Sequence, residues 1–172
     1  MLLKSMKSLA LVLGLAVAAF VAPVHAVSQT GTILKPADTQ KLLPSAVYYK
    51  GQSAPAQLRN SGGVKFSDGY NVLATLVDNS GYSSDVATKY QAYFVTEVPI
   101  EIGGHKLAAG VYGVGFLPGN KFVVTDVGGH DVLTAASAHD DAIKRPMPLK
   151  FTTDPAGGYR LYDGRNYVRF RR

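Results

Sequence analysis

Between Tyr90 and Val127 apolar residues alternate with polar or small ones in short runs, and each run ends in glycine-rich punctuation. The first run puts Tyr90, Ala92, Phe94, Thr96 and Val98 on one face and Gln91, Tyr93, Val95 and Glu97 on the other, because successive side chains of a strand point to opposite sides. Neither face is cleanly polar, so one belongs to a core and the other is partly covered. Pro99 has no N–H for a ladder, which predicts a bend or an edge there. Turns at Gly103-Gly104-His105 and Pro118-Gly119-Asn120 separate this run from Leu107–Phe116 and from Lys121–Val127. The whole reads as an antiparallel meander. Gly110, Gly113 and Gly115 alternate with Val111, Tyr112, Val114 and Phe116. Glycine weakens a strand, so this row predicts strong coiling, a bulge, or aromatic rings packed on bare backbone.

The same punctuation runs through the rest of the chain. Upstream, Pro36 suits the first turn of a short helix that Pro44 ends, provided that Leu42 and Leu43 dock on the sheet. Ala46–Lys50 and Ala56–Asn60 read as short strands separated by a break at Gly51–Pro55. Ser67-Asp68-Gly69 makes a hairpin of Val64–Phe66 with Tyr70–Val77. Asp78 to Asp85 is the most polar loop, and Ser84 or Asp85 caps a helical turn after it. A loop of this kind on a rigid sheet is the first place to look for function. Downstream, Leu149–Thr153, Tyr159–Tyr162 and Asn166–Arg171 are strands joined by turns at Asp154–Gly158 and Asp163-Gly164. In the last of them Val168 and Phe170 face inward while Tyr167, Arg169 and Arg171 face out.

About nine to eleven short strands follow, with turns roughly every 8 to 12 residues and at most one or two short helices. The fold class is therefore all-β, an antiparallel barrel or sandwich. An outer-membrane barrel is disfavoured, because its strands need about 10 residues and a clean lipid-facing band.

Composition changes this picture at the two ends. Lys4 and Lys7, the apolar run Leu9–Ala22 and Val24-His25-Ala26 have the form of a secretory signal over residues 1–26, with cleavage near Ala26. The apolar run is about 14 residues, short of the ~20 that span a bilayer, and Pro23 follows it. Residues 27–45 read as a loosely ordered lead-in and 46–172 as one domain, periplasmic or secreted, with no transmembrane span in the mature protein. The absence of cysteine rules out disulfides, thiolate metal sites and a lipid-anchored amino terminus. Positive charge gathers late, at Arg160, Arg165, Arg169, Arg171 and Arg172. Export argues against nucleic acid as the partner and leaves anionic lipid, acidic glycan or plain solubility.

Candidate chemistry is sparse. His105 and His130 sit in turns, and His139-Asp140-Asp141 has neighbours in sequence rather than metal-ligand spacing, so no metal or other cofactor is expected. There is no Gly-x-Ser-x-Gly, and Gly110-x-x-Gly113-x-Gly115 lies within a strand with no helix after it. Glu97 and Glu101, the only two glutamates, bracket Pro99 and read as solubilising. Ten tyrosines are spread over nearly every strand and read first as sheet rim. The sharper reading makes Tyr82, Tyr93, Tyr112 and Phe116 an aromatic surface for a ligand.

The run Val98–Val127, above all Gly104-His-Lys-Leu-Ala-Ala-Gly-Val-Tyr112 and Pro118-Gly119, resembles a hairpin of secreted bacterial all-β domains of unknown function. The resemblance covers about 30 residues; it implies export and an all-β fold and carries no catalytic residue over. The leading expectation is a non-enzymatic binding protein for a small apolar ligand or an envelope glycan. The alternatives are a module that docks on anionic envelope surfaces through Arg160, Arg165, Arg169 and Arg171, and a hydrolase whose triad assembles from distant segments.

Overall fold

A computed structural model describes residues 31–172. The secretory signal expected over 1–26 and its cleavage near Ala26 lie outside the described residues.

Two antiparallel sheets pack face to face as a sandwich. The first contains β1 (Thr32–Leu34), β2 (Ala46–Tyr49), β3 (Gln52–Lys65), β4 (Asn71–Val77), β5 (Ala92–Thr96), β8 (Gly110–Leu117), β9 (Lys121–Thr125) and β10 (Asp131–Ala136). Its order is β1-β3-β4-β5-β8-β9-β10, with β2 hairpinned onto β3. The second runs β12 (Met147–Thr153), β13 (Tyr159–Gly164), β14 (Asn166–Arg171), β6 (Ile100–Ile102), β7 (His105–Leu107), with β11 (Ala138–His139) also on β14. Helices α1 (Pro36–Thr39) and α2 (Ser84–Lys89) are short. The outer strands β1 and β10 do not pair among the described residues, so the barrel alternative gives way to the sandwich. Among the described residues fourteen strands replace the nine to eleven counted from alternation. β1, β6, β7 and β11 have only two or three residues each, too few for a period of two to show.

The alternation of β5 is met from Ala92 onward: Ala92, Phe94, Thr96 and Val98 are buried and Tyr93 and Val95 half-buried, while Tyr90, also buried, packs with Tyr49 outside the sheet and not on the face expected for it. Pro99 marks the crossing from the first sheet to β6 of the second. Inward residues of both sheets, Phe94, Phe122 and Val124 against Ile102, Phe151 and Phe170, form one core, each such side chain contributing roughly 1.5–3 kcal/mol through burial.

Two local differences have clear causes. The break at Gly51–Pro55 is instead a two-residue hairpin turn, with positive φ at both Lys50 and Gly51, the geometry that suits the twist of the flanking strands. β3 then runs on through Pro55, because a bulge between Gln57 and Ser61 absorbs the irregularity. The lead-in of 31–45 is built into the sandwich: β1 pairs with the end of β3, and Thr39 on α1 is buried and hydrogen-bonds Ser61 Oγ at 2.7 Å beside the bulge. Leu43 docks; Leu42 stays exposed.

The glycine row is explained by what lies on it. A Cβ on Gly113 would meet Tyr49 Cε2 and Tyr90 Cδ2 at 2.7 Å, and one on Gly115 would meet the Lys89 carbonyl at 2.6 Å. Tyr49 of β2 and Tyr90 at the end of α2 therefore pack on bare strand backbone and build a second, smaller core outside the first sheet.

Candidate functional site

The outer face of the second sheet carries the arginines. The turn at Gly164-Arg165 sets the register of β13 on β14 so that Arg160 lies opposite Arg169 and Tyr162 opposite Tyr167. Two like charges directly across a ladder destabilise a sheet. Here a carboxylate reaches between them. Asp154 Oδ2 accepts from Arg160 Nε at 2.5 Å and from Arg169 Nε at 2.9 Å, while Oδ1 accepts from the Ala156 N–H at 2.7 Å. The Asp154 side chain is 1% exposed. It follows β12 directly and is presented by the Asp154–Gly158 turn, which needs the positive φ of Gly157 and Gly158.

Burial by itself would push the Asp154 carboxyl up. The hydrogen bonds from Arg160 and Ala156 and the two guanidinium charges outweigh it, and the group lies below the usual carboxylate range. Hydrogen bonds to Asp154 and Tyr162 push Arg160 up. Arg160 is also bonded to the Tyr162 hydroxyl at 3.1 Å and lies 4.5 Å over the Tyr167 ring; Tyr162 in turn donates to Asp140 at 3.0 Å. The network is thus anchored on its inner side.

Its outer side opens into a cleft of about 510 Å³. Tyr167, Arg169 and Arg171 of β14 form the floor; the Gly103-Gly104 turn, the Ala136–Ala138 link and the Ala156-Gly157 turn form the walls. Small residues at all three walls keep it open. Arg171 pairs with Glu101 at 2.9 Å on one rim, an exposed pair worth less than about 1 kcal/mol. Arg169 differs. Its side chain is 59% exposed, Nε is held by Asp154, and Nη1 and Nη2 have no hydrogen-bond partner among the described residues.

Of the four arginines expected on an anionic-surface face, Arg169 and Arg171 line the cleft. Arg160 lies behind Tyr167, and Arg165 donates from Nε to the Ile143 carbonyl at 2.9 Å in the β13–β14 turn. The four aromatics expected as a ligand surface do not come together. Tyr82 and Tyr93 pack on the small outer core, Tyr112 and Phe116 on the main core. The Tyr82 hydroxyl donates to the Tyr49 and Gln52 carbonyls, both at 3.1 Å, and its ring stands edge-on to Tyr49 and Tyr90. The void that Phe116 lines holds about 10 Å³, far below the ~300–1,000 Å³ of ligand sites. The Asp78–Asp85 loop is tied down as well: Asn79 Nδ2 donates to the Ala87 and Tyr90 carbonyls at 2.9 and 2.8 Å.

His130 bonds Asp126 within its own turn, and His139 bonds Asn166; neither lines the cleft. Among the described residues no group of three or more histidines and carboxylates is placed to hold a metal, and no helix is long and apolar enough to cross a membrane. Sequence reasoning missed Asp154, Tyr167 and Glu101 as site residues. A signal for Asp154 existed, since an aspartate opens the turn ahead of the two strands that carry Arg160 and Arg169. No family model, curated protein or solved structure matches the chain.

Proposed function

We propose that the chain is an exported, non-enzymatic binding module that takes an acidic envelope glycan into the cleft on the outer face of the second sheet. The observation that carries this reading is the arginine arrangement. A buried carboxylate spends its hydrogen bonds on holding Arg169 at a cleft floor, and the terminal nitrogens of that arginine remain unpaired among the described residues. The cleft volume lies within the ~300–1,000 Å³ of ligand sites, and the secretory pattern of residues 1–26 supplies the compartment. A small apolar ligand, the other occupant expected, finds no comparable room beside Phe116.

The test is calorimetry of the purified protein against soluble acidic and neutral polysaccharides at two salt concentrations. Acidic chains should bind, more weakly at higher salt, and Arg169→Ala should abolish that binding without unfolding the protein. Failure of every acidic polysaccharide to bind, or unchanged binding by Arg169→Ala, would end the reading.

A further inference from the structure

We propose that the acid group seated at Arg169 is the planar carboxylate of a uronic-acid unit, and that Asp154 is the positioning residue that lets Arg169 read it. This rests on the glycan reading above. The first argument is geometric. A guanidinium held along its Nε edge presents two parallel N–H donors from Nη1 and Nη2, the fork that matches a carboxylate in its own plane. Asp154 holds Arg169 at that atom, at 2.9 Å. Rotation about the last side-chain bonds would break this contact, so the fork is oriented before any ligand arrives.

The second argument is charge. Arg160 and Arg169 share the single charge of Asp154, and Asp140 already draws on Arg160 from 3.9 Å. Two residues along β14, Arg171 is matched by Glu101 of the neighbouring strand. At most one positive charge is left to neutralise, which suits a monoanion. A phosphate monoester dianion would bring a second negative charge to a site that already holds Asp154 and Glu101. The third argument concerns the rest of the ligand. Glu101 and Ser137 both stand along the β6–β11 edge of β14 as partners for ring hydroxyls, and the glycine turn at Gly103-Gly104 leaves backbone exposed between them. That is a lining for a hydroxyl-rich ring.

Calorimetry with a tetramer of 1,4-linked galacturonate, its fully methyl-esterified form, a sulfated galactan oligosaccharide and a phosphorylated mannose oligosaccharide separates the possibilities. The free tetramer should bind at least tenfold more tightly than the methyl ester. Arg169→Lys keeps the charge and loses the fork, and should weaken galacturonate binding about ten- to a hundredfold. Asp154→Asn should narrow the ratio between free acid and ester, where a merely structural role would leave that ratio unchanged among folded molecules. Should Asp154→Asn fail to fold, Arg169→Lys alone decides the matter. Equal or tighter binding of the sulfated or phosphorylated oligosaccharide, or wild-type affinity in Arg169→Lys, overturns the carboxylate inference and leaves the glycan module standing. If none of the acidic oligosaccharides binds, both fall.

Discussion

Tyr90 and Tyr49 stack at 3.7 Å with their planes 11° apart, and both are buried. The same change, Tyr to Phe, should nonetheless act in opposite directions on the two. Each substitution keeps the ring, its burial and the stack, and removes one hydroxyl. The Tyr49 hydroxyl is bonded to Thr125 Oγ1 at 2.7 Å, and deleting it should cost about 1 kcal/mol. The cost stays modest because Thr125 still donates to the Gly113 carbonyl at 3.1 Å. The Tyr90 hydroxyl has no hydrogen-bond partner among the described residues. A buried unpaired hydroxyl carries a desolvation penalty of about 1–3 kcal/mol, so Tyr90→Phe should stabilise by about 1 kcal/mol once the small gap it leaves is counted. The two variants then differ by about 2 kcal/mol, roughly 6–8 °C in Tm for a domain of this size. Urea unfolding followed by circular dichroism measures both. Burial pushes the Tyr90 phenol up, so its contribution is complete below the unfolded pKa of about 10 and is lost as pH rises above it. Tyr90→Phe should therefore also flatten the alkaline limb of the stability profile. A Tyr90→Phe variant less stable than Tyr49→Phe would refute the reasoning.

Two further outcomes follow from the same geometry. Gly113→Ala should destabilise by about 1–3 kcal/mol, since its Cβ would fall within 2.8 Å of Tyr49, Tyr90 and Thr125. In a Tyr49→Ala background the penalty should shrink, and a thermal-melt double-mutant cycle with no coupling would count against the close packing. Asp154→Asn should cost roughly 2–3 kcal/mol at neutral pH, the lower part of the range for breaking a buried pair because Arg169 is 59% exposed. The Asp154 pKa is lowered on folding, so its stabilisation is present above the unfolded pKa of about 3.9 and lost as pH falls through the lower folded value. The wild-type advantage over Asp154→Asn should be flat above about pH 5 and vanish in strong acid; a gap that persists there would contradict the assignment.

Where a strand is long enough to alternate, its burial could be read from the sequence, as β5 and β14 show. Ala92, Phe94 and Val98, and Val168 with Phe170, lie inside because a period of two leaves no other face for them. Alternation could not reveal β1 or β11, whose two or three residues are strands only because a partner strand bonds them. Nor could it show that β3 passes through Pro55 and Gly62-Gly63. That depends on the bulge after Gln57 and on Phe151, which lies over Gly62 from the opposite sheet. The cover on Gly113 was expected from aromatic rings in general, but the identity of Tyr49 and Tyr90 required the path of β2 across the outside of the sheet.

The arginine site was hidden by a one-residue difference in the turn centre, which moves the register by two. Had the turn centred on Asp163-Gly164, Arg160 would face Tyr167, and Arg169 would have no charged neighbour across the ladder. The turn centres one residue later, on Gly164-Arg165, and Arg160 faces Arg169. A one-residue shift of the turn is invisible in composition and keeps the faces, yet it changes every cross-strand pair. Once the arginines are opposed, a carboxylate between them becomes a condition of the sheet's stability, and Asp154 is the residue whose turn delivers it. Its one shared charge against two guanidiniums holds Arg169 in place without saturating it. The site thus follows from a mismatch that the fold itself creates.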